Sequence, residues 1–423
     1  MKRLILILAI VGLTNSATWA SEGNISPLFT VLPGEVASLS PAATAAVPVS
    51  IALDQLEQGA AVLRLELPDG PIVDARLADL ERRGPGDLVW RGRIEGGHRG
   101  ELTLTMKNGF VAGLVSLAEG SWEVRTQPGG GQSLERLDTE SFPTCGTPPA
   151  AEPLLLPEGD VDPCPNPIDR PDRIDVLGYY TPEARDAAGG VAQIEALVQS
   201  AVDISNTAFS NAQMIARFRL VDAELSTRSD SGNMSADLNW LASDAGVAAY
   251  RDAVKADLVS LIVNSGSFCG IARLPINWAD PPSNEGRAFQ VTARTCAVGN
   301  LSFPHEHGHN MGLEHNPENA NPPGAGTYPF RFGHYVSDTT NQARTVMSYS
   351  NQCTEGCPRT PYFSNPAVNF PGTSEPTGIL DERENHRAGN LTDACVTDYR
   401  INTAIFSDSF ESGDTAGWDE TAF

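Results

Sequence analysis

The 423-residue chain predicts an α/β unit with a loop-rich end, preceded by a separate β-rich unit. Two patterns carry that expectation. Up to about residue 140, short alternating segments are separated by Asp-Gly and Asn-Gly turns. From Ile174 onward, strand-like runs alternate with helical ones, the arrangement of an α/β layer. After about residue 312, Pro, Gly, Asn and Ser dominate.

The elements follow in order. Ala61 to Leu67 alternates and ends at Pro68-Asp69-Gly70; Gly100 to Met106 alternates, turns at Lys107-Asn108-Gly109, and continues as Phe110 to Leu114. Pro143 to Pro171 is proline-rich and aperiodic, which predicts an exposed linker. Ile174 to Tyr180 predicts a strand. Thr181-Pro182-Glu183 then predicts a helix start, with a cap and a proline in the first turn. Val191, Ile194, Leu197, Val198, Ala201 and Ile204 stand at helical spacing. A strand over Ile215 to Val221, helices over Ala236 to Ala242 and Val247 to Val254, and a buried strand over Leu258 to Val263 come next. Asp381 to Tyr399 regains helical character.

Lys2 and Arg3, the apolar run Leu4 to Leu13 and the small residue Ala20 predict a secretory signal peptide over residues 1–20. No later apolar segment reaches spanning length, so the processed chain is expected to be free of the membrane, extracellular or periplasmic. Disulfides are expected there. Acidic residues number 53 and basic ones 29, a net charge of -24. That balance excludes a nucleic-acid partner and favours solubility.

The strongest motif is His305-Glu306-His307-Gly308-His309-Asn310-Met311-Gly312-Leu313-Glu314-His315, which contains H-E-x-x-H-x-x-G-x-x-H. His305 and His309, one helical turn apart, can offer two imidazoles to one Zn2+ ion. Ser302 is the expected cap of that helix, and Pro304 fits its first turn. Gly312 can adopt φ > 0 and end the helix, so that the chain returns with His315. Three protein ligands leave a fourth position open, the catalytic arrangement of zinc. Glu306 is the expected general base, which would also protonate the leaving amine. His307 points away from the ion, since each helical residue turns about 100°. It is expected to be exposed or to back up a ligand.

These residues resemble the metzincin metallopeptidases, whose signature adds a downstream Met-turn. Arg344-Thr345-Val346-Met347-Ser348-Tyr349 supplies it, with Met347 as the apolar floor. Tyr349 matches the tyrosine of astacin-like and serralysin-like metzincins, which implies an oxyanion-stabilising role. Ile174 to Ala184, Ser260 to Ala272, Cys296 to His315 and Pro361 to Pro366 resemble the bacterial reprolysin-like family, to which the peptidyl-Asp metalloendopeptidases are similar. The resemblance implies an α/β (α+β) catalytic domain over 166–405, with a mixed twisted sheet and a loop-rich C-terminal subdomain. It implies a zinc metalloendopeptidase acting on protein or peptide substrates bound in extended form along a sheet edge. Ala288 to Thr292 is the candidate edge. Asn316 stands where the family usually has Asp, and no residue identifies an Asp-selecting pocket.

The seven cysteines are Cys145, Cys164, Cys269, Cys296, Cys353, Cys357 and Cys395. Pro143-Thr144-Cys145-Gly146-Thr147-Pro148 resembles the cysteine switch of matrix metalloproteinases, with Thr144 in place of the arginine. Residues 21–165 would then be a β-rich inhibitory propeptide and linker, and Cys145 the fourth zinc ligand of a latent form. Pairing of Cys145 with Cys164, or a free thiol, is the alternative. The other six allow 15 pairings; Cys269–Cys296, Cys353–Cys357 and Cys164–Cys395 are the expected ones. Residues 406–423 form an acidic tail, a sorting signal or a solvated end. A zinc-binding secreted adhesin or inhibitor with a silent site is the competing function. A zinc hydrolase of another kind, with glutamate as third ligand, is weakened by His315.

Overall fold

A computed structural model describes residues 25–147, 162–276, 278, 280–320, 328–337, 342–353 and 356–401. The expected signal peptide, the middle of the expected linker and the acidic tail lie outside them.

The N-terminal part holds β1 (Phe29–Val31), β2 (Ala43–Ile51), α1 (Leu53–Glu57), β3 (Val62–Glu66), β4 (Ile72–Gly84), β5 (Asp87–Ile94), β6 (Gly100–Lys107), β7 (Phe110–Leu117), β8 (Gly120–Thr126) and β9 (Gln132–Leu137). They form one antiparallel sheet in the order β1-β2-β9-β8-β7-β6-β5-β4-β3. Pro27 bridges Arg64 on β3, and the Leu28 amide donates to the Arg64 carbonyl at 2.8 Å, so the two ends of the order meet as a barrel. Alternation sends Leu102, Leu104, Val115, Trp122 and Val124 inward, around Leu63, Leu65 and Trp90. The opposite face carries Thr103, Thr105, Ser121, Glu123, Arg125 and Glu135, and these are buried too.

What covers that polar face is the second part. It contains β10 (Arg173–Tyr180), α2 (Pro182–Ala188), α3 (Val191–Asn211), β11 (Arg217–Leu225), α4 (Met234–Leu241), α5 (Ala245–Val254), β12 (Leu258–Val263), β13 (Gly270–Ala272), β14 (Phe289–Ala293), α6 (Ser302–Asn310), β15 (Tyr335–Ser337), β16 (Gln342–Arg344) and α7 (Asn385–Thr397). The Thr181 hydroxyl accepts from the Ala184 amide at 3.2 Å and Pro182 opens α2, as the sequence predicts. Helix α3 is buried on nearly every side. Ile194, Leu197, Val198, Ala201 and Ile204 enter the main core. Its other face meets the barrel through polar groups: Asp203 accepts from the Thr105 hydroxyl at 2.6 Å and from Arg83 Nη1 at 3.0 Å, and Thr103 and Thr207 hydroxyls lie 3.0 Å apart.

The main sheet has the order β11-β10-β12-β14-β13, parallel except for β13, which runs antiparallel to β14. This corrects the expected substrate edge: Ala288 to Thr292 falls on β14, an interior strand, and the edge is β13. A strand of three residues is too short to show a period, so the sequence conceals it.

Three disulfides join Cys164 to Cys395, Cys269 to Cys296, and Cys353 to Cys357. The first ties the chain entering β10 to α7, where the Asp398 carboxylate also accepts from the amides of Ile168 at 2.9 Å and Asp169 at 2.8 Å. The described ends of the expected linker are therefore bound to the fold rather than free. No helix among the described residues is long and apolar enough to cross a membrane.

Candidate metal centre

Helix α6 starts from Leu301, held at φ 56°, and no side chain caps it. Ser302, the expected cap, is instead the first helical residue, and its hydroxyl accepts from Asn300 Nδ2 at 2.9 Å. The far end behaves as expected: Gly312 has φ 86°, and the chain turns back through Leu313 to His315. Asn310 anchors the helix, its amide donating to the carbonyls of Arg273 at 2.8 Å, Arg287 at 3.1 Å and Phe289 at 3.1 Å.

The three predicted imidazoles converge. His315 Nε2 lies 3.2 Å from His305 Nε2 and 3.0 Å from His309 Nε2. Their other ring nitrogens are engaged: His305 Nδ1 meets the Val346 carbonyl at 2.8 Å and His309 Nδ1 the Leu313 carbonyl at 3.0 Å. Nδ1 must donate to a carbonyl, so each Nε2 presents a lone pair. Burial holds all three below the usual imidazole range, His309 at about 3, so these lone pairs face one another unprotonated. Such a group needs a cation. Cys145 Sγ completes it, 3.7 Å from His309 Nε2, and the four ligand atoms lie within 4.8 Å of one another. Tetrahedral zinc sets neighbouring N and S ligands about 3.3–3.6 Å apart, so the residues present fit zinc.

Cys145 arrives on an extended segment laid along edge strand β13. The Gly146 amide donates to the Gly270 carbonyl at 2.7 Å, and the Cys269 amide to the Thr144 carbonyl at 3.1 Å. Backbone pairing thus holds the loop whatever the side chain at Thr144. Gly146 lies flat on the Phe268 ring, where a Cβ has no room. Thr147 then turns its hydroxyl to Glu306 Oε2 at 2.9 Å.

Glu306 is fully buried, and Oε1 has no hydrogen-bond partner. Burial pushes its carboxyl up to about 8, against the hydrogen bonds from Cys145 and Thr147. Gly270 makes space for it: a Cβ there would stand 2.5 Å from Glu306 Cγ. Burial and the Glu306 charge also push the Cys145 thiol well up; a coordinating thiol is deprotonated by the metal itself.

Met347 lies under the helix, its sulfur 2.6 Å from where a Cβ of Gly308 would be. Tyr349 stacks beside His315 with ring centroids 4.4 Å apart, and its hydroxyl donates to the Cys145 carbonyl at 3.3 Å. Asn316 holds this turn, Oδ1 accepting from the Tyr349 amide at 3.0 Å. His307 departs from expectation. It is neither exposed nor behind a ligand, but sits in the core between Phe303 and Phe218, Nδ1 3.1 Å from Asn310 Oδ1. Burial holds its pKa at about 3. Gly270, Gly308, Asn310 and Thr147 had no signal in the sequence, because each matters through a partner distant in the chain.

Residues 170–364 match the Reprolysin_5 model of Metallo-peptidase family M12. Peptidyl-Asp metalloendopeptidase of Xanthomonas campestris pv. campestris is 28% identical over 85% of this chain and 87% of its own length. The enzyme of that name from Stenotrophomonas maltophilia is 32% identical over 54% of this chain and 53% of its own. That from Pseudomonas aeruginosa is 30% identical over 54% of this chain and 41% of its own. These matches place a reprolysin-like metallopeptidase domain at residues 170–364 and support a bacterial reprolysin-like zinc metalloendopeptidase.

Proposed function

We propose that this chain is made as a latent, secreted zymogen that cleaves extended protein substrates, at Asp as its relatives' name describes. His305, His309 and His315 would hold the zinc, and Cys145 would close its fourth position. The observation that carries this reading is the placement of Cys145 Sγ within 4.8 Å of all three imidazole nitrogens, on a segment that also occupies Glu306.

Bound zinc supplies a Lewis acid and lowers the pKa of a coordinated water to about 7. Glu306 takes the proton of the attacking water at the oxygen that Thr147 now occupies, and passes it to the leaving amine. Tyr349, whose hydroxyl already grips a backbone carbonyl of the inserted segment, would grip the substrate's in the same way and stabilise its developing charge. Edge strand β13 would align the substrate backbone as it aligns residues 144–147.

The polar barrel-to-α3 interface supports a detachable inhibitor, since dissociable interfaces are more polar than permanent ones. The disulfides fit an oxidising compartment. The test is to express the full chain, sequence the mature N-terminus and assay peptide cleavage with and without chelator. Cleavage only after removal of Cys145, and abolished by chelation, is the expected result. A processed chain that keeps zinc and cleaves nothing would refute the reading.

A further inference from the structure

Two buried arginines beside the metal centre have no task in the chemistry above. Arg359 is 7% exposed and Arg344 4%. Arg359 Nη1 donates to the Asn300 carbonyl at 2.8 Å, Nη2 reaches the Ser348 carbonyl at 3.5 Å, and Nε is unpartnered. Arg344 Nε donates to the Cys357 carbonyl at 2.9 Å and Nη1 to the same Ser348 carbonyl at 3.0 Å. No carboxylate stands within ion-pair distance of Arg359 among the described residues. Buried cations are ordinarily paired, yet these two converge on one carbonyl; burial holds both below the usual range, and the Arg359 charge lowers Arg344 further.

Their location gives the reason. Asn300 precedes the metal-binding helix, and Ser348 lies between Met347 and Tyr349. Arg359 therefore spans the two walls that flank the centre, and its charge acts on His305, His309, His315 and Glu306. A third observation points to the ligand. Glu140, on the segment leading to Cys145, brings Oε1 to 3.8 Å from Arg344 Nη2 and packs over Gly356. Its charge acts on both arginines. The inserted segment thus sets its own carboxylate beside them, and its departure leaves them without one.

We infer that Arg359 and Arg344 form a cationic subsite that receives an acidic side chain of the substrate and selects it over its neutral amide. Arg359 meets the carboxylate nearest the metal, and Arg344 extends the donor surface toward the position Glu140 holds. The inference rests on the peptidase reading of the centre and assigns its specificity to particular residues.

The test uses the processed enzyme purified from full-length expression, with peptide pairs that differ only by Asp or Asn at each position flanking the scissile bond. The readout is the ratio of kcat/KM values within a pair. At one position the wild type should favour Asp by about 10- to 100-fold, the size of a charged hydrogen-bond set. Arg359→Gln should bring that ratio to within about threefold of one, and Arg344→Gln should lower it in part. Arg359→Lys keeps the charge without the fork and should give an intermediate ratio. A purely structural role would lower both rates together and leave the ratio unchanged. Efficient cleavage with no Asp preference in the wild type overturns the inference. So does an unaltered ratio in both Arg344→Gln and Arg359→Lys, which stand in if Arg359→Gln does not fold. A wild type that cuts no peptide at all refutes the peptidase reading instead, and the subsite with it.

Discussion

The Thr147 hydroxyl donates to Glu306 Oε2 at 2.9 Å while accepting from the Ala272 amide at 2.7 Å. One side chain therefore ties the inserted segment both to the edge strand and to the proposed base. The proposed latency then rests on two contacts, a thiol aimed at the metal site and a hydroxyl on the carboxylate. Thr147→Val removes the second, together with the bond from the Ala272 amide, and leaves the thiol in place. The full-length variant should self-process about 3- to 10-fold faster than wild type, the effect of losing ordinary hydrogen bonds. Cys145→Ser should accelerate it further. Time courses of conversion on gels measure both.

Glu306→Gln keeps the shape and removes the base. Peptide cleavage by the processed enzyme should fall by about 10²–10⁴-fold, the range for loss of general-base catalysis. Metal content, read by elemental analysis, should stay at one zinc per chain. Substantial activity in this variant would remove Glu306 from the mechanism.

Gly308 faces the Met347 sulfur, and an added Cβ would come within 2.6 Å of it. Gly308→Ala should cost about 1–3 kcal/mol of stability through overpacking. It should also weaken zinc retention, because His309 is the next residue. Thermal melting with and without chelator separates the two effects. An unchanged Tm would show that the helix and the methionine are not in contact.

Glu123 gives a pH dependence whose sign can be worked out. It is buried on the barrel's outer face against Gly299, and burial raises it to about 8, with Arg125 pulling down and Glu135 pushing up. When unfolded it titrates near 4.5. The folded chain therefore holds more protons between about 4.5 and 8, so stability falls as pH rises through that window. The loss is on the order of a few kcal/mol. Glu123→Gln should flatten that part of the decline in Tm against pH. An equally steep decline in the variant would place the titration elsewhere.

The parts of the site that lie close together in the chain were legible in the sequence. His305, Glu306, His309, Gly312 and His315 fall within eleven residues, so one helix and the turn at Gly312 bring them to one point. Met347 and Tyr349 required the family resemblance. What stayed hidden depends on contacts across the fold. The polar alternation of Thr103, Thr105, Glu123 and Arg125 reads as a solvated face, yet α3 covers the threonines and the chain around Arg294 to Gly299 covers Glu123. The edge strand was misplaced because β13 is three residues long. Gly270 and Gly308 look like ordinary glycines until Glu306 and Met347 are set against them. Arg359 lies 53 positions from Glu306 in the numbering of the chain, and nothing local marks it as buried beside the centre.

Zinc X-ray absorption on the intact, unprocessed chain tests the central claim most directly. Three nitrogen ligands at about 2.0–2.1 Å and one sulfur at about 2.3 Å are the expected shell. The sulfur should disappear in Cys145→Ser and in the processed enzyme. A wild-type spectrum with only nitrogen and oxygen ligands would contradict the assignment of Cys145 as the ligand that holds the enzyme latent.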